Sequence, residues 1–117
     1  MLFLKTGMER NILFSYLYRD AGNYKKYSSV IFSNRTCLSI SDIQSVIRAN
    51  AVEEEWFIPA KWDIPKLAFE TFISSDDHEL HEIDSISMTE EKATKEYDIG
   101  EFLELISREK NFTPSAA

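Results

Sequence analysis

Two stretches of the chain carry side chains with chemical potential. The first is His78-Glu79-Leu80-His81-Glu82, which nearly spells the helix of a zinc protease. That motif needs two histidines four apart on one helical face with a glutamate between them, and here they are three apart. In an extended segment His78 and His81 point to opposite faces, and no third ligand is nominated for a site built from His81 with Asp77 or Glu82. The expectation is that no metal is held there. Cys37 could pair with either histidine as nucleophile and base, but nothing in the spacing brings them together. A lone cysteine is more simply a small buried hydrophobe.

The second stretch is the turn in NILFSYLYRDAGNYKKYSSVIFS, residues 11–33. Arg19 offers a planar fork for a carboxylate or phosphate, Lys25 and Lys26 add point charge, and Tyr24 can stack. Asp20 and Asn23 complete a positive island in an otherwise acidic chain. The expected ligand-binding set is Arg19, Asp20, Asn23, Tyr24, Lys25 and Trp62, with Lys61 beside Trp62 if the fold brings that later loop close. The competing expectation is a polar hairpin turn that Arg19 and Asp20 close with their own hydrogen bonds. No glycine-rich phosphate loop, nucleophile elbow or Walker-type lysine is present. The expectation is therefore no catalytic residue, no cofactor and no enzyme.

The elements that must position these groups follow from hydrophobic period. Ile12, Phe14, Tyr16 and Tyr18 alternate with Leu13, Ser15, Leu17 and Arg19, which predicts a central strand covered on part of both faces. Asp20-Ala21-Gly22-Asn23 predicts a turn. A strand from about Tyr27 to Phe32 should return antiparallel. Ser39 reads as the N-cap of a helix of three turns carrying Ile40, Ile43, Val46 and Ile47, with Asn50 as terminator. Trp56-Phe57-Ile58 reads as a brief strand stopped by Pro59. A turn over residues 63–65, a strand over 67–72 and a strand over 81–88 follow, the last with imperfect alternation. Asp98, with Glu101 three residues on, opens a helix whose stripe is Ile99, Phe102, Leu103 and Ile106. The aromatic cluster of Trp56, Phe57 and Trp62 reads as core or lid packing, with any exposed part marking a protein contact.

The order strand, strand, helix, strand, strand, strand, helix predicts a single α+β domain: a mostly antiparallel sheet of four or five strands with two helices packed on it. Its expected limits are residues 9–111, with residues 1–8 as an N-terminal extension and 112–117 as a flexible tail. At 117 residues, 44% hydrophobic and 13% aromatic, the chain can build one core, and 3 Gly and 3 Pro leave no room for long linkers. The formal net charge of -7 disfavours direct nucleic-acid binding and anionic membranes, which need clustered Lys and Arg. One cysteine suits a reducing cytoplasm, and the apolar start MLFL is too short for a signal peptide or a membrane span.

The turn at residues 18–25, the segment HELHEIDSI and the closing DIGEFLELI together resemble a family of small uncharacterised bacterial proteins with a YRDAGNYK-like turn and an HxxHE segment. That resemblance covers about residues 11–106 and implies no activity and no residue role. The expected function is thus a small acidic, non-enzymatic binding or interaction protein with a protein partner or self-association. The alternatives are a binder of an anionic, nucleotide-like ligand at the turn, and an acidic inhibitor that mimics nucleic acid, of the phage anti-defence type.

Overall fold

The computed structural model describes residues 10–67 and 80–111, with only the backbone of 109–111. Strand β1, Asn11–Arg19, and strand β2, Lys25–Phe32, form an antiparallel hairpin in which Ile12 faces Phe32 and Arg19 faces Lys25. The second strand thus starts two residues before Tyr27, because the pairing runs down to the turn. Helix α1, Ile40–Asn50, starts at Ser39, whose hydroxyl accepts the Asp42 N–H at 3.1 Å. A two-residue strand β3, Trp56–Phe57, and a short 3₁₀ turn, Pro59–Trp62, lead on to strand β4, His81–Thr89, and helix α2, Ile99–Asn111. The expected strand over 67–72 falls almost wholly outside the described residues.

The sheet order is β2-β1-β4-β3, all antiparallel, so β1 is central as its alternation requires. The pairing of β1 with β4 slips between Ser15 and Tyr16: Ser15 faces Ser85, and Tyr16 faces Ile83. Asp84 is the extra residue of this bulge, and its carboxylate accepts the Ser15 hydroxyl at 3.0 Å. The bulge explains the imperfect alternation of HEIDSISM, because it turns Ile83 and Ile86, three apart, to the same buried side.

One face of the sheet carries the core. Ile12, Phe14, Phe32, Phe57 and Ile83 pack there against Ile43 and Ile47 of α1 and Ile99, Phe102 and Ile106 of α2. Phe14 sits at the middle, with the rings of Tyr16, Phe57, Trp62 and Phe102 at 5.6–6.3 Å. The other face bears the odd-numbered residues of β1: Leu17 is buried there, and Leu13, Ser15 and Arg19 are half-buried.

The segment before α2 straps the outer edge of β2. Thr94 and Lys95 both donate their N–H to the Ile31 carbonyl, and the Thr94 hydroxyl accepts the Ile31 N–H at 2.8 Å. Asp98 ends the strap. Its carboxylate accepts the Ser33 hydroxyl and the Arg35 N–H, both at 2.8 Å, and the Gly100 N–H at 3.1 Å. Its own N–H donates to Glu101 at 2.9 Å, completing the capping box. Burial alone would raise the Asp98 pKa, but these donors outweigh it and hold the carboxyl below its ordinary value.

Candidate functional site

The turn after β1 is built by Asp20. Its carbonyl accepts the Asn23 N–H at 2.9 Å and its carboxylate the Tyr24 N–H at 2.9 Å, while its own N–H reaches the Tyr24 carbonyl at 3.0 Å. Asn23 takes the left-handed conformation at φ 70°, which asparagine tolerates. Tyr24 stands 70% exposed at the tip, and Lys25 and Lys26 are exposed on the strand that leaves it.

Arg19 is tied into the protein. Its Nε and Nη2 hold both oxygens of Glu82 on β4, at 2.6 and 3.0 Å, and its Nη1 donates to the Asn23 side chain at 2.6 Å. Register puts them side by side: Leu17 faces both Tyr27 and Glu82, and Arg19 is the next residue on that face. The Glu82 hydrogen bonds push the Arg19 pKa further up, so the guanidinium stays charged.

Trp62 does not join this group, which corrects the expected ligand-binding set. The indole is 4% exposed and stacks on Phe57 at 4.6 Å and meets Phe102 edge-on at 5.9 Å, in the core on the helix side of the sheet. Arg19 points to the other side. The reason is the Pro59–Trp62 turn, which the sequence reading had as open loop: proline at its start fixes the backbone and rolls Trp62 inward. Its C-terminal residue Asp63 sits at φ 56°, where the Tyr97 hydroxyl at 2.9 Å and Lys95 at 3.3 Å hold its carboxylate and lower its pKa. Lys61 remains exposed on the same turn.

Two other side chains gather around Arg19. Trp56 of β3 pairs with Glu82, and Glu55 precedes it. Together with Asp20 and Leu80 they line a cleft of about 470 Å³ against the Arg19–Glu82 pair. The cleft therefore presents carboxylates and an indole, and its one guanidinium already holds a carboxylate. The sequence sets Trp56 in an aromatic cluster and marks no role for Glu55. Only the β3–β4 register brings both beside Arg19, and no local pattern carries that information.

His81 is a core residue. It is fully buried, with the rings of Tyr18, Phe57 and Tyr16 at 5.0, 6.1 and 6.2 Å, and its Nε2 accepts the Leu67 N–H at 3.0 Å. His78 lies outside the described residues. Among the described residues no group of His, Cys, Asp and Glu is placed to hold a metal. Cys37, expected as a buried hydrophobe, is exposed, at φ 56° in the loop after β2. It lies beyond Phe32, which faces Ile12 at one end of β1, while His81 packs on Tyr18 at the other.

No family model, curated protein or solved structure matches the chain. Among the described residues no helix is long and apolar enough to cross a membrane.

Proposed function

We propose that this is a non-enzymatic binding protein whose contact surface is the cleft at the Arg19 end of the sheet. The observation that carries the reading is the lining of that cleft: Trp56 and Leu80 as apolar wall, Asp20 and Glu55 as acceptors, and Arg19 neutralised by Glu82. An indole beside carboxylates suits a lysine or arginine side chain, through cation–π attraction and charge-assisted hydrogen bonds. The formal net charge of -7 favours a basic partner in the same direction. An anion would meet these carboxylates with the Arg19 fork already engaged, so the nucleotide-like ligand is the poorer fit.

The test is a titration of ¹⁵N-labelled protein with short lysine-rich and glutamate-rich peptides, following the Trp56 indole N–H. The lysine peptide should move that signal and the glutamate peptide should not, with Glu55→Lys abolishing the response. Movement with ATP instead, or with neither peptide, would end the reading.

A further inference from the structure

Among the described residues, strand β4 is paired along only part of its outer side. β3 covers His81 and Glu82, and the Ile83 N–H donates to the Glu55 carbonyl at 2.9 Å. Beyond that point, over residues 84–88, no described residue hydrogen-bonds that side of the strand. The direction of each backbone group follows from register. Ile31 spends its N–H and C=O on the Thr94–Lys95 strap, away from β1, so its partner Leu13 turns its own groups to β4 and forms the hydrogen-bonded pair with Ser87. Ile86 and Met88 alternate with Ser87 and aim their N–H and C=O groups outward.

The two edges of the sheet are guarded unequally. β2 has its far end closed by the strap and its near end lined by Lys25 and Lys26, the usual protection of an edge strand. The open run of β4, Ser85-Ile86-Ser87-Met88, has no charge and no proline. A groove of about 570 Å³ runs along α1, lined by helix residues between Ile40 and Ala49, among them Ser41, Gln44, Ser45 and Arg48, and by Glu54. This stripe is on the flank of α1 away from α2, since Asn50, which bonds Ser107 of α2, lies on the other flank. Glu54 immediately precedes Glu55, whose carbonyl accepts the Ile83 N–H at the paired end of β4.

We propose that the open edge of β4 accepts an extended segment of another protein as a fifth strand. This rests on the binding reading above and names how the partner is held. Main-chain hydrogen bonds to Ile86 and Met88 supply the attachment, and alternate side chains supply the selectivity. The segment is uncharged and β-branched in its middle and basic at its ends. Exposed Glu53, Glu54 and Asp84 stand at one end of the open edge, and Glu90 and Glu91 at the other. The same charges disfavour a second copy of this chain: antiparallel pairing of β4 with itself about Ser87 sets Asp84 against Glu90 at both ends.

Selection of phage-displayed random dodecapeptides on the full chain tests this. Enriched peptides should alternate β-branched residues between Lys or Arg ends. The Ile86 and Met88 amide protons should exchange fast in the free protein and become protected in the complex. Met88→Pro removes an outward N–H that the β1 ladder does not use, and should weaken the selected peptide at least tenfold. Protection of the two amides in wild-type protein gives the answer even where the proline variant folds poorly. Failure to enrich any peptide, or enriched peptides that bind the proline variant equally, overturns the inference. So does concentration-dependent protection of those amides in the protein alone, which would assign the edge to a second copy. Peptides that depend on Trp56 but not on Met88 would sink the edge and leave the cleft standing.

Discussion

Arg19 grips Glu82 with two prongs across β1 and β4, and its third nitrogen holds Asn23 of the turn. The residue with the best chemistry for anions is therefore the one that closes the hairpin. Adding phosphate or ATP should leave the Arg19 Nε–H resonance unmoved in the wild-type protein. Glu82→Gln removes the carboxylate and should make that resonance respond. A wild-type response at submillimolar nucleotide would show that the fork is free to exchange partners.

His81→Leu keeps apolar bulk among Tyr16, Tyr18 and Phe57 but leaves the Leu67 N–H without its acceptor. An unpaired buried donor costs about 1–3 kcal/mol, so the urea midpoint should fall accordingly. His81→Ala adds a cavity and should lower it further. Because a backbone N–H faces Nε2, the proton belongs on Nδ1, which ¹⁵N shifts of the imidazole will report.

Asp98 should impose an acid limb on stability. Its folded pKa lies below the unfolded value near 3.9. Its contribution is thus fully present above about pH 5 and drains away as pH falls through the folded pKa. Asp98→Ala should cost about 1–2 kcal/mol at pH 7, the usual range for losing a helix cap, and flatten thermal stability between pH 5 and 3. An unchanged acid limb would place the titrating group elsewhere.

The turn between α1 and β3 holds Glu53 and Glu54 at φ 52° and 64°. Non-glycine residues resist this left-handed region by about 1–2 kcal/mol each. Glu54→Asn should raise stability by about 0.5–1 kcal/mol in a denaturant titration, and Glu54→Val should lower it.

The local devices of the fold could be read from the chain because each rests on adjacent residues. Alternation over Ile12 to Tyr18, the Ser39 cap and the Asp98–Glu101 box each name an element by its own residues. What alternation hid at β4 was one inserted residue, Asp84, which resets the parity between Ile83 and Ile86. Trp62 reads both as core packing and as a ligand contact, because a loop tryptophan and a core tryptophan look alike until the Pro59 turn is known. The site was less legible still. The partner of Arg19 lies 63 residues away, and the order β2-β1-β4-β3, which no local pattern encodes, is what makes Glu82 and Trp56 its neighbours.

The strap over β2 has a consequence during synthesis. Chain order brings the β1–β2 hairpin out first, while the Thr94–Lys95 segment that seals its outer edge, and β4 that covers its inner one, emerge much later. At about 5–20 residues per second the nascent hairpin waits several seconds with both edges bare. In that interval Lys25 and Lys26 are what discourages it from pairing with a neighbouring chain on the same messenger.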